Sequence, residues 1–270
     1  MKRGVLLLSW AAVLAVPSLR AASMTPEAAL GALLSRHASQ LGADDAAGAA
    51  ESCRLVLDSG ALGRFTPVAE SLLGADLLAL GHAEEGAKRL GRLLVPNSAN
   101  ADAIVRLADI QARRWLSRLD REEVVAALKA YYAANVRYPD TLEPLRSLRP
   151  PPPLRDRWGE PWNYRLANFR ALKGVSAQRY TLESRNTGRL SDLAKALQAR
   201  ATSPGPEGWR VSRSREAGAI LVETAEGRNS IVREGDLHAG FRFAGFAGRS
   251  ALFSSGDAWF LLPLAPGGTP

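Results

Sequence analysis

Cysteine is all but missing from this chain: Cys53 is the only one. A single cysteine excludes an intramolecular disulfide and every paired-cysteine zinc motif. It also lies too far from the N-terminus to be a lipoprotein cysteine, and a buried small hydrophobe is its expected role. Histidine is nearly as scarce, with His37, His82 and His238 far apart in the sequence. His37 sits on an apolar helical face and His82 in a turn. Neither has a second histidine or an acid at metal-ligand spacing, so both read as structural or solvated. The chain holds no Gly-x-Ser-x-Gly elbow, no His-Glu-x-x-His and no Walker loop, which removes the common hydrolase and nucleotide signatures. Lysine is rare too: Lys2, Lys88, Lys129, Lys173 and Lys195 are all there is.

What is present begins with 270 residues, 46% of them apolar. That suffices for packed cores and allows one to three domains. The formal charge is +8, carried mostly by arginine. Arginine binds phosphate bidentately, but these arginines are scattered and no recognition motif accompanies them, so no nucleic-acid partner is expected. Lys2 and Arg3 precede an apolar run from Val5 to Val16, broken by Pro17 and followed by Ala21-Ala22-Ser23. The run has the length of a secretory h-region and is too short to cross a bilayer. Residues 1–23 are therefore read as a signal peptide, with an uncleaved anchor as the other reading. Cleavage would remove Lys2, Arg3 and Arg20 and lower the charge to +5. The mature chain is then periplasmic or secreted and peripheral to the membrane.

Residues 24–118 read as helices. Thr25-Pro26-Glu27 is a helix start, with Thr as N-cap and Pro in the first turn. Asp44 and Asp45 open a second helix, and Thr66-Pro67 a third. Leu73-Gly74, Leu77 and Leu80 give a packing face, Gly81 breaks the helix, Glu84 to Leu94 forms its partner, and Pro96 stops it. This hairpin resembles a tetratricopeptide repeat, with Gly86 or Ala87 as the small crossing residue.

From residue 119 the character changes. Asp120 and Glu123 read as a capping pair for a helix whose stripe is Val124, Val125, Leu128, Tyr131 and Tyr132, unless one helix runs on unbroken from Ser98 through Trp115. The chain leaves the helix at Tyr138-Pro139. Thr141 to Leu148 forms a short helix, and Pro150 to Pro153 an extended strut. Then comes Asp156-Arg157-Trp158-Gly159-Glu160-Pro161-Trp162-Asn163-Tyr164. Asp156 can bond amides two residues on, Gly159 can turn left-handed and Pro161 fixes the exit. Trp162, Tyr164 and Leu166 alternate as a strand, and Gln178 to Ser184 gives another. Trp158, Trp162 and Tyr164 are expected to pack this sheet onto the helix. A carbohydrate-stacking platform, or a hydrolase using Asp156 and Glu160, is the other reading.

These motifs in this order resemble the globular head of the major pseudopilin of type II secretion systems. The carrying residues are Asn135-Val136-Arg137-Tyr138-Pro139, Leu142 to Leu148, Asp156 to Tyr164 with Trp158, Gly159 and Pro161, and Tyr180 to Ser184. The resemblance implies a structural aromatic turn rather than a reactive one. Two features depart from that family. Its members begin with a transmembrane helix that packs a fibre, whereas here a signal and helical repeats stand there. Its calcium loop carries paired acids, whereas here Arg185 follows Ser184, so no metal is expected.

Leu190, Leu193, Ala194 and Leu197 lie on one face of a short helix, and Ser203-Pro204-Gly205-Pro206 reads as a linker. Short strands follow at 219–222, 230–232, 241–244, 250–253 and 259–262, suggesting a small barrel or sandwich. Arg233-Glu234-Gly235-Asp236 followed by Gly240-Phe241-Arg242-Phe243 resembles the periplasmic homology-region domain of the secretion clamp protein and its pilus-lipoprotein relative. The expected fold is α+β: helical repeats over 24–118, a pseudopilin-head-like unit over 119–190, a helix and linker over 191–206, and a small β domain over 207–270. The expected role is a non-enzymatic component of a type II secretion or type IV pilus-like system. It would need no cofactor and would have secretion or pilus assembly proteins as partners.

Overall fold

The computed structural model describes residues 24–96, 101–170, 176–188, 190 and 192–266. The expected signal peptide lies outside the described residues. The helices begin at local caps. Thr25 accepts a hydrogen bond from the Ala28 amide at the head of α1 (Pro26–Gly42), and Asp45 accepts one from Gly48 at the head of α2 (Ala46–Asp58). Thr66 and Pro67 start α3 (Thr66–Ala79). Gly81, at φ +80, turns the chain into α4 (Ala83–Arg92). The expected small crossing residue is Gly86: a Cβ there would meet the Gly74 carbonyl at 2.9 Å, and one on Gly74 would meet Leu90 at 2.6 Å. The α3–α4 hairpin therefore closes only because both positions lack a side chain. Helix α3 is buried nearly all round, from Val68 to Leu78.

Helix α5 (Ala103–Asn135) runs 33 residues without a break, capped by Asp102. It passes straight through the expected boundary at 118/119. Asp120 and Glu123 are thus interior residues and not a capping pair. The Asp120 carboxylate is engaged instead by the Arg157 guanidinium, at 2.5 and 2.6 Å. The pattern Asp-x-x-Glu caps a helix only where the amides that follow it lack partners, and here the preceding turn of α5 supplies their carbonyls. Val136 ends the helix in the left-handed conformation at φ +57.

Beyond it, a 3-10 turn (Glu143–Ser147) leads to a two-stranded antiparallel hairpin of β1 (Asn163–Arg170) and β2 (Ser176–Glu183). Tyr164 faces Leu182 and Leu166 faces Tyr180 across it. Helix α6 (Leu193–Ala199) and a 3-10 turn (Arg200–Thr202) return the chain to the bundle, where Ala196 is buried beside Trp115 and Leu116.

Two antiparallel sheets complete the chain. One runs β3 (Arg210–Arg213), β4 (Ala219–Glu223), β5 (Asn229–Arg233). The other runs β6 (Leu237–His238), β7 (Phe241–Ala247), β8 (Ser250–Ser255), β9 (Ala258–Pro263). Strand alternation gives the second sheet two working faces. Phe243, Ala251 and Phe253 pack against Val211, Ile220, Val222 and Val232 of the first sheet. Ala244, Ala247, Leu252 and Trp259 pack instead into the core of α1, α2, α3 and α5. The C-terminal sheets thus have a core of their own, and one of them also shares a core with the helices.

A buried polar relay fixes that junction. Trp259 Nε1 donates to Ser71 Oγ at 3.0 Å, Ser71 to Gln111 Oε1 at 3.2 Å, and Gln111 Nε2 to Ser254 Oγ at 2.9 Å. Each group would be costly to bury unpaired, so the relay admits one register of sheet on helices. The architecture is α+β, with helices N-terminal and sheets C-terminal. No helix among the described residues is long and apolar enough to cross a membrane.

Candidate functional site

The aromatic turn is built around one carboxylate. Asp156, 4% exposed, accepts at Oδ1 from the amides of Trp158 (3.0 Å) and Glu160 (3.1 Å). Its Oδ2 accepts from Ser184 Oγ at 2.6 Å and from Asn186 Nδ2 at 3.5 Å. Gly159 takes φ +83 at the apex, as the turn demands. Arg157 ties the turn to α5 through Asp120, its amide donates to Ser117 Oγ at 3.2 Å, and the Arg113 guanidinium donates to the Arg157 carbonyl. Burial raises the Asp120 carboxyl above its ordinary value, although Arg157 pulls the other way.

Trp162 is sealed: it is 5% exposed, lies among Val124, Leu128, Leu145 and Leu182, and donates its indole N–H to the Pro153 carbonyl at 2.9 Å. Tyr164 packs at the edge of that cluster, and its hydroxyl donates to the Pro139 carbonyl at 2.8 Å. Burial first, and then the neighbouring Tyr180, pushes its phenol up to about 12. The Tyr138 amide donates to Gln178 Oε1 at 2.7 Å, and its ring meets Tyr180 edge-on at 4.9 Å. Two expectations are corrected. Trp158 is only half-buried and stands outside the packed cluster, because the turn commits its backbone and leaves its ring at the rim. Tyr132, at 41% exposed, lies off the core stripe and rests on Tyr138 at 4.7 Å. Pro161, exposed, pairs its backbone with Arg155 to close the turn. The structure therefore draws Tyr138, Pro139, Asp156, Trp162, Tyr164, Tyr180 and Ser184 into one interlocked unit. Both oxygens of Asp156 are engaged within this unit, and Glu160 is exposed beside it.

A second constellation was not legible from spacing. His37 of α1, Cys53 of α2 and Asp76 of α3 converge at the centre of the bundle, with Arg200 entering from the 3-10 turn after α6. His37 Nε2 lies 3.0 Å from Asp76 Oδ2, and Cys53 Sγ lies 3.9 Å from the same oxygen. Arg200 Nη2 donates to Asp76 Oδ1 at 2.6 Å and lies 3.3 Å from His37 Nε2. Asp76 and Cys53 are 0% exposed, His37 4% and Arg200 7%. Burial, and after it the Asp76 carboxylate, pushes the Cys53 thiol well above its ordinary value, and its S–H donates toward Asp76 Oδ2. Cys53 is buried as expected, but its neighbour is a carboxylate and not only hydrocarbon. His37, expected to be structural or solvated for want of an acid at metal-ligand spacing, is buried and meets its acid, Asp76, 39 residues away in sequence. One signal was available: Asp76 stands in the apolar stretch Leu72-Leu73-Gly74-Ala75-Asp76-Leu77-Leu78, and a charge there is buried only with partners. His37, Cys53 and Asp76 offer one nitrogen, one sulfur and one oxygen within 4.8 Å of one another, a set able to hold a metal ion. A cavity of about 130 Å³ adjoins His37 and Arg200, lined also by Leu41, Asp257 and Trp259. His82 is exposed at the head of α4.

No family model, curated protein or solved structure matches this chain.

Proposed function

We propose that this protein is a non-catalytic component of a type II secretion or type IV pilus-like apparatus, acting in the periplasm through protein contacts. The observation that carries the reading is the direct bond between two pieces of the resemblance. Ser184 Oγ donates to Asp156 Oδ2 at 2.6 Å across 28 residues of chain, while Tyr164 bonds the Pro139 carbonyl and Tyr138 meets Tyr180. Motifs that merely happened to occur in this order would have no reason to interlock. The tip of α5 adds support. Val136, 78% exposed, and Tyr132 present apolar surface at a rigid helix end. Val136 is held in a left-handed conformation that a β-branched residue rarely adopts. Backbone strain of this kind is a reason to look for a role there.

The test is site-specific photocrosslinking in the native host, with a photoreactive residue at position 136. Adducts identified as secretion or pilus subunits would support the reading. Adducts only with proteins of other systems, or none from position 136 and none from a second probe at Tyr132, would overturn it.

A further inference from the structure

We propose that His37, Cys53 and Asp76 form a binding site for a zinc-type divalent cation at the centre of the helical bundle. The donor types come first. A histidine nitrogen, a cysteine sulfur and a single carboxylate suit a borderline metal such as Zn²⁺, and do not suit Ca²⁺ or Mg²⁺, which take oxygen ligands. The spacing agrees. Metal–ligand bonds of about 2.0–2.3 Å in a tetrahedron set ligand atoms roughly 3.3–3.8 Å apart. Here Nε2 and Oδ2 are 3.0 Å apart, Sγ and Oδ2 are 3.9 Å apart, and all three atoms lie within 4.8 Å. Small side-chain adjustments bring them to bonding geometry.

The lone pairs converge on one point. His37 Nε2 lies 3.0 Å from Asp76 Oδ2, 3.2 Å from Oδ1 and 3.3 Å from Arg200 Nη2. A cation seated between Nε2, Sγ and Oδ2 takes a lone pair from each and replaces the hydrogen bond between His37 and Asp76. The two oxygens of Asp76 then divide the work: Oδ2 faces the histidine and the thiol, while Oδ1 is held by Arg200 at 2.6 Å. A positioning bond to the non-ligating oxygen is the usual outer support of a carboxylate ligand. Binding replaces the Cys53 thiol proton, which leaves to solvent; the metal then faces one thiolate and one carboxylate, with the Arg200 guanidinium still paired to Asp76 Oδ1 and one net positive charge on the cluster. The cavity reaches His37 and Arg200, the side from which an ion would enter.

The experiment is titration of the chelator-stripped full chain with Co²⁺ alone, under reducing conditions, read by absorbance. The expected result is a thiolate-to-cobalt charge-transfer band with intense visible bands of four-coordinate cobalt, saturating at one equivalent and quenched by Zn²⁺. Cys53→Ala, checked for folding by circular dichroism, should lose the charge-transfer band. Zn²⁺ at a hundredfold excess over its Kd should raise the wild-type Tm by about 5–10 °C. Wild-type protein showing neither the band nor the Tm shift would overturn the site and leave a metal-free ion-pair cluster. A band that survives in folded Cys53→Ala would overturn it as well, by placing the metal elsewhere.

Discussion

Replacing Asp156 with alanine tests whether the aromatic turn is architecture. The substitution removes a buried acceptor from the amides of Trp158 and Glu160 and from the Ser184 hydroxyl. Hydrogen bonds to a charged group contribute about 1.5–3 kcal/mol each, and a donor stranded out of water costs about 1–3 kcal/mol. The two amides sit in a turn at the surface and regain water when the carboxylate goes. The Ser184 hydroxyl sits at 1% exposure and does not. The expected loss is therefore about 3–4 kcal/mol, well short of the sum of the separate bonds. Ser184→Ala should cost about 1–2 kcal/mol. Because its bond is to Asp156, the double variant should match Asp156→Ala alone, a coupling of about 1–2 kcal/mol. Urea denaturation followed by tryptophan fluorescence gives these differences. Limited chymotrypsin digestion should show cleavage appearing first between residues 139 and 188. A loss below about 1 kcal/mol for Asp156→Ala, or additive single variants, would mean the carboxylate is not the anchor described and is free for other work.

Three further outcomes are expected. Arg200→Met leaves Asp76 buried without its guanidinium and should cost about 3–5 kcal/mol in the same urea experiment, whereas a cost under 1 kcal/mol would show that the pair is dispensable. Val136→Gly relieves the left-handed cap of α5 and should stabilise the protein by about 1 kcal/mol, read as a rise in Tm. Tyr164 should be among the last phenols to ionise in a spectrophotometric titration, near 12 against an ordinary value of 10. The folded state keeps that proton while the unfolded state releases it, so stability should fall as pH rises from about 10 to 12, and Tyr164→Phe should flatten that slope.

The helix starts were readable because caps are local. Thr25, Asp45 and Thr66-Pro67 announce themselves within three residues, and the turn at Asp156 to Gly159 does the same. The α+β class followed from those signals and from the alternating C-terminal strands. Asp120 misled because a capping pair and an interior helical pair look alike until the preceding backbone is seen to be helical. Strand β3 went unread, since Arg210–Arg213 offers one buried side chain, Val211, among three polar ones. The shared core of helices and sheet was hidden because Leu252 and Phe253 look equally apolar in sequence, and only the pleat sends one to each side. The central quartet was out of reach for a different reason: Arg200 joins Asp76 across 124 residues, a distance at which no periodicity speaks.

Helix α5 extends about 50 Å at 1.5 Å per residue and contains neither glycine nor proline. Its first half, with Ile104, Leu107 and Trp115, belongs to the bundle, and its second half, with Val124 and Leu128, roofs the β1–β2 hairpin. A load applied at Val136 therefore finds no hinge along that shaft. The protein behaves as a strut: tilting one end must tilt the other, so two partners gripping opposite ends would be held at a fixed separation and angle.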